Sequence, residues 1–207
     1  MRFQKYPRTY HLPWSEGFTS DDKVLKNTES FTGKEVIITE KLDGECSTLY
    51  RNGLHARSLD SVNHPSRNWL KNFWGQIQYN IPEGIRICGE NCYAMHSIHY
   101  SDLKSYFLGF NAWKDNLCLS WDDTIDIFTK VGITPVPIIY RGIYNEGLAR
   151  DLVNTLNLDK VEGYVVRITD SFDIDSFDQC LAKFVRRGHV QTDEHWMKKP
   201  ITPNLLG

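Results

Sequence analysis

Residues 35–58 read EVIITEKLDGECSTLYRNGLHARS, and the spacing of turn residues between short β-formers in this stretch decides the fold class. Residues 36–39, 47–50 and 54–58 are runs of the β-branched, aromatic and apolar residues that suit a pleated, half-buried surface. Asp43-Gly44 separates the first two runs and Asn52-Gly53 the last two. Asn-Gly between two such runs predicts a tight hairpin, and strands joined by connections this short run antiparallel.

The pattern changes outward from this stretch. Trp69, Phe73 and Ile77 recur every four residues among helix formers, which predicts an amphipathic helix over 66–80 with its aromatic stripe on the core. Strands are predicted at 85–90, 106–113, 161–168 and 180–185, and helices at 122–131 and 145–156. Runs of strands with helices between them make an α+β domain of mainly antiparallel sheets with flanking helices. Residues 1–34, punctuated by Tyr6-Pro7, Leu12-Pro13 and Glu16-Gly17, read as an N-terminal arm packed on a domain of residues 35–207; Ser20 or Asp21 is placed to cap a short helix through Lys26.

Composition sets limits. With 41% hydrophobic and 13% aromatic side chains, 207 residues suffice for one well-packed domain with small appendages and exclude a long multidomain machine. The formal net charge is −2 and the pI near 6.4, so contact with a polyanion has to come from a local basic surface. Five cysteines are an odd number without disulfide-framework spacing, and no apolar signal segment opens the chain, so a reducing, cytoplasmic location is expected. No apolar run approaches the ~20 residues that span a bilayer, so no membrane partner is expected. Cys88 and Cys92 lack a second pair, which argues against a structural zinc.

The chemistry gathers around Thr39-Glu40-Lys41-Leu42-Asp43-Gly44-Glu45. A lysine held at a strand end becomes a neutral amine nucleophile where burial or nearby cations lower its pKa, and Gly44 lets the backbone approach a phosphate closely. Alone, Lys-x-Asp-Gly is a weak signal, since many solvated turns read this way. Four further stretches follow in order: His55-Ala56-Arg57-Ser58, Cys88-Gly89-Glu90-Asn91, Val161-Glu162-Gly163-Tyr164-Val165-Val166, and Leu181-Ala182-Lys183-Phe184-Val185. Each ends or follows a predicted strand, and each offers a charged side chain beside apolar residues that fix it.

This series resembles motifs I, Ia, III, IV and V of the covalent nucleotidyltransferase superfamily of ligases and RNA-capping enzymes, with 106–113 in the place of motif IIIa. The resemblance covers roughly residues 35–190. Within the superfamily the text looks closest to ATP-dependent RNA ligases, and 181–197 is similar to the Deinococcus-type nick-sealing RNA ligases. The resemblance implies that Lys41 attacks the α-phosphorus of ATP and carries AMP, that AMP passes to an RNA 5′-phosphate, and that a 3′-hydroxyl then displaces it. It implies that Lys183 neutralises the α-phosphate and helps keep Lys41 unprotonated, and that Glu162 binds Mg2+ or Mn2+. Glu90 is expected on the ribose hydroxyls, Arg57 on the ribose or the incoming 5′-phosphate, and Phe110 stacked on adenine. Glu40 is expected to read the base, because adenine offers an amino donor where guanine presents an acceptor. Phe110 also reads as plain core, since Tyr106, Leu108 and Phe110 alternate as in a half-buried strand.

Two departures stand out. Many ligases carry two lysines in motif V, and here Leu181 and Val185 flank Lys183 at the alternate positions, which leaves Arg186 or Arg187 to supply the second charge. After residue 190 no oligonucleotide-binding fold and no motif VI are recognisable, so the basic arm (Lys5, Arg8, His11) or a helper protein is expected to orient pyrophosphate. His189, Asp193 and His195 are expected on a phosphate-facing surface with Arg186 and Arg187. The expected partner is RNA, as a nicked duplex with 5′-phosphate and 3′-hydroxyl ends. A minimal DNA ligase shares every motif named. A degenerate nucleotide- or RNA-end-binding module is the non-enzyme alternative.

Overall fold

The computed structural model describes residues 2–60, 63–188 and 200–207. In chain order the strands and α-helices are β1 (Tyr10–His11), β2 (Glu35–Lys41), β3 (Glu45–Tyr50), β4 (Gly53–Ala56), α1 (Asn68–Ile77), β5 (Ile85–Asn91), β6 (Phe107–Lys114), β7 (Leu117–Cys118), α2 (Trp121–Val131), β8 (Thr134–Pro135), β9 (Ile138–Ile143), α3 (Glu146–Thr155), β10 (Gly163–Ile168), β11 (Phe172–Asp173), α4 (Phe177–Cys180) and β12 (Leu181–Val185). They form two sheets. One runs β1-β12-β10-β2-β9 and the other β11-β7-β6-β5-β3-β4, with β8 beside β6. All pairings are antiparallel except β1 with β12 and β6 with β8.

Side-chain alternation along β2 sorts its residues between two cores. Val36 and Ile38 pack with Phe31, Ala149 of α3, Tyr164 and Phe184. Ile37 packs with Leu42, Leu108, Trp121 and Val136. A third cluster, with Leu49, Ile87 and Phe107 of the second sheet, takes Leu70 and Ile77 of α1 and Phe128 and Val131 of α2. The aromatic stripe of α1 belongs to that core: Trp69 and Phe73 stack at 5.2 Å and lean on it. The helix ends follow local chemistry. The Ser120 hydroxyl accepts from the Asp123 N–H at the start of α2, and Gly132 ends it at φ 87 in the left-handed region.

One expectation needs correction, one is met with a shifted boundary, and one strand was not foreseen. No helix forms after Ser20, because residues 23–25 pair with β1 instead: His11 N–H donates to the Lys23 carbonyl and Leu25 N–H to the His11 carbonyl. The β3–β4 hairpin forms at the Asn52-Gly53 signal, but Gly53 is the first residue of β4, paired with Tyr50. Its φ is not positive, and a Cβ there would meet only the ring of Phe3, at 2.6 Å from Cζ. Strand β9, an edge of the first sheet, was not legible at all. Among the described residues no helix is long and apolar enough to cross a membrane.

Candidate active site

Register alone assembles one wall of a cleft between the sheets. Gly163 pairs with Lys41, Val165 with Thr39 and Arg167 with Ile37, while Lys183 pairs with Val165 and Leu181 with Arg167. Period-two alternation therefore places Ile37, Thr39, Lys41, Val165, Arg167, Leu181 and Lys183 on a single face, and all seven line a cleft of about 230 Å3. The opposite wall comes from the second sheet. Cys46 of β3 and Glu90 of β5 are cross-strand partners, and both line the cleft with Arg57, which follows β4.

A bulge supplies the aromatic contribution. Cys88 pairs with Asn111 and Gly89 with Gly109, so Phe110 is the extra residue in β6 and the strict alternation of 106–110 breaks there. Phe110 and its neighbour Asn111 both reach the cleft. Phe110 is half-buried and meets Tyr6 edge-on at 5.2 Å, so it lines the cleft as well as backing on the core.

Electrostatics centre on Lys41. Its Nζ lies 2.5 Å from Glu162 Oε2, and Glu162, just before β10, is only 6% exposed. The Glu162 N–H donates to the Lys41 carbonyl and its own carbonyl accepts from Arg186 N–H, so the backbone holds the pair in register. Burial disfavours charge on Lys41, but Glu162, Glu90 and the hydrogen bond from Nζ outweigh it and hold the ammonium well above its ordinary value. The carboxylates around it therefore pull Lys41 in the direction opposite to the one a neutral amine nucleophile needs. The depressed lysine is Lys183, lowered to about 8 by burial and by repulsion from Lys41. Burial lifts Glu90 to about 8, against the pull of Lys41 and with the push of Glu162. Burial likewise raises Glu40, which lines the cleft where its backbone N–H donates to the Pro137 carbonyl.

The arm forms part of the cleft, and this was missed in the sequence apart from Arg8. Tyr6, Pro7, Arg8, Thr9 and Asp22 all line it. At the deep end Asn111 Nδ2 donates to Tyr6 Oη at 2.7 Å, and an Arg167 guanidinium nitrogen donates to Asn111 Oδ1 at 2.6 Å. Arg167 lies one residue past the motif IV run 161–166, and the signal for it was its period-two spacing from Val165. The other predicted phosphate contacts do not converge. His11 is 1% exposed, hydrogen-bonded to Ser15 and 3.8 Å from Asp22, which makes it part of the arm's packing. Lys5 and Arg187 are exposed and outside the cleft, and Arg186 lines an adjoining groove that shares Glu40, Leu42 and Val136 with it. The expectations for His189, Asp193 and His195, and for the rest of 189–197, lie outside the described residues.

The sequence model of the family described as RNA ligase matches residues 34–185. No curated protein matches the chain. Among solved structures it is similar to an archaeal ATP-dependent RNA ligase, with 14% identity and a TM-score of 0.58 over 89% of this chain and 48% of that one. It is also similar to an RNA ligase of Naegleria gruberi solved with PPi, with 18% identity and a TM-score of 0.56 over 90% of this chain and 59% of that one. A mutant of the Naegleria enzyme with ATP and Mn gives 14% identity and a TM-score of 0.55 over 92% and 63%. At these identities the likeness is one of fold, and the chain spans about half to three fifths of the length of those structures.

Proposed function

Matched to that family's model over most of its length, the chain belongs to the RNA ligase family, and from that premise we propose that it is an ATP-dependent ligase that carries AMP on Lys41 and joins RNA 3′-hydroxyl and 5′-phosphate ends in a nicked duplex. The observation that carries this reading is the convergence of charge at one nitrogen. Glu162 stands 2.5 Å from Lys41 Nζ, Lys183 shares its face, and Arg57, Glu90 and Phe110 close the same cleft.

In the first step the Nζ lone pair attacks the α-phosphorus. The N–P bond forms, the bond from that phosphorus to the bridging oxygen breaks, and pyrophosphate leaves with the electron pair. AMP next passes to the RNA 5′-phosphate, which frees Lys41, and the 3′-hydroxyl then displaces AMP as the phosphodiester closes. All three are in-line displacements, so the protein's contribution is positioning and charge stabilisation. Lys41 has to lose its proton before attack, and Glu162 Oε2 is the acceptor hydrogen-bonded to it. Lys183, on the same face of the cleft as Lys41, is the cation in place to meet the α-phosphate oxygens. Phe110 is the aromatic face in the cleft for the base to stack on, and Thr39, Asn111, Val165 and Arg167 line the same cleft. Glu40 supplies the acceptor side of base reading.

Among the described residues no group of three His, Cys, Asp or Glu side chains encloses an ion. Glu162 would be a protein ligand of a magnesium- or manganese-type ion that keeps water and phosphate oxygens as most of its ligands. Such an ion would supply Lewis-acid charge to the phosphoryl group.

The test is incubation with α-labelled ATP and Mg2+ or Mn2+, followed by denaturing electrophoresis. The wild-type band is expected to carry label and the Lys41→Ala band none; label on the alanine variant sinks the assignment. Nicked duplexes with RNA or DNA on the 3′-hydroxyl strand, assayed side by side, separate an RNA ligase from a DNA ligase.

A further inference from the structure

The turn that follows the nucleophile is held from outside the sheet by residues that belong to none of the motifs. The Asp43 carboxylate is 8% exposed, and its Oδ2 accepts three hydrogen bonds, from Ser97 N–H at 2.7 Å, Ser97 Oγ at 2.6 Å and Ile98 N–H at 2.9 Å. The Asp43 N–H donates to Tyr100 Oη at 2.9 Å. On its other side the turn is pressed onto β5, where a Cβ on Gly44 would lie 2.6 Å from the Asn91 carbonyl oxygen. Lys41 therefore ends a strand whose following turn is fixed at Asp43 by the loop after β5 and at Gly44 by the end of β5.

That loop is itself fastened by residues 202–207. Asn204 is fully buried, its Oδ1 accepts from Tyr100 N–H at 2.8 Å, and its Nδ2 donates to the Cys92 carbonyl at 2.7 Å. Its own N–H donates to the Tyr93 carbonyl, Leu205 N–H to that of Tyr100, and Leu103 N–H to that of Leu205. A buried amide with donor and acceptor both engaged specifies one arrangement of the backbone around it. We propose that Tyr100 and Asn204 are positioning residues for Lys41: Asn204 sets the loop, the loop sets Asp43, and Asp43 sets the strand end from which the nucleophile projects. Neither touches the nucleotide cleft. The proposal rests on the reading of Lys41 as the nucleophile.

The test uses the full chain with three variants of graded severity. Ser97→Ala removes one of three hydrogen bonds to the Asp43 carboxylate, Tyr100→Phe removes only a hydroxyl, and Asn204→Ala removes both links of the buried amide. Single-turnover labelling with ATP is followed as a function of ATP concentration, and hydrogen exchange is measured over residues 41–44. Since small misplacement of a reacting group costs up to about a hundredfold in rate, Tyr100→Phe is expected to slow labelling about tenfold at saturating ATP without changing half-saturation. Asn204→Ala is expected to slow it at least as much, Ser97→Ala less, and exchange at 42–44 should rise in the same order. Unchanged labelling in Tyr100→Phe overturns the proposal. So does a loss that merely tracks the fraction of folded protein. If the wild type takes no label, the reading of Lys41 fails instead, while the exchange measurement still decides whether the loop holds the turn.

Discussion

Lys41 Nζ lies 2.5 Å from Glu162 Oε2, and the carboxylate helps to keep the proton on the lysine. Glu162→Gln removes the negative charge, so the lysine in the variant gives up its proton at lower pH. Labelling by ATP should therefore lose rate in the variant while the alkaline rise of its pH profile moves to lower pH. A rise at the same pH in both proteins would mean that Glu162 does not govern the nucleophile. Glu90 makes a second pH statement. Burial raises it from 4.5 to about 8, so the folded state binds its proton more tightly than the unfolded chain does. The resulting stability is complete below 4.5 and lost as pH climbs towards 8. Glu90→Gln keeps a neutral side chain throughout, so its melting temperature relative to wild type should rise across that window; a constant difference would show that burial is not holding the proton. At this scale the sequence carried the identities of the charged residues but not their protonation, because spacing says nothing about which carboxylate faces which lysine.

Among the elements, β10 carries the tightest contact in the site. A Cβ on Gly163 would fall 2.0 Å from the Phe184 carbonyl oxygen, between the Glu162 and Lys183 strands. Gly163→Ala has to part β10 from β12, and overpacking of this kind costs about 1–3 kcal/mol. Chemical denaturation should find that loss together with a drop in labelling by ATP, and wild-type stability in the variant would contradict the close approach. The strands that build the cleft were legible because apolar periodicity and motif residues coincide in them, as in Val165-Val166 and Ile37-Ile38. Strand β9 was not: Pro135 and Pro137 precede it, and Arg141 and Gly142 interrupt an edge strand that needs only one partner. The bulge at Phe110 was equally hidden, since a strand with one extra residue keeps the composition of a regular one.

For the molecule as a whole, the arm is part of the cleft. Arg8 lines the mouth, and a guanidinium nitrogen donates to the Asp21 carbonyl, while Lys5 is exposed away from it. Pyrophosphate departs only in the ATP step, so Arg8→Ala should slow labelling roughly tenfold and leave sealing of a pre-adenylylated RNA end near wild type, with Lys5→Ala changing neither. Equal losses in both reactions would place Arg8 on RNA instead. The arm's role was half legible: its cations stood out in the text, but only the folded chain sorts Arg8 from His11, which is packed away against Ser15 and Asp22. The arm also sets an order of assembly. Tyr10 and His11 find their strand partners at Ala182 and Lys183, nearly the whole domain away along the chain. On a ribosome, where synthesis runs from the amino end, the arm waits with no sheet edge to join until β12 has emerged. Contacts this distant also close late in refolding. A nascent chain therefore lacks both Lys183 and the arm-side wall, and the cleft comes into being only as one of the last acts of folding.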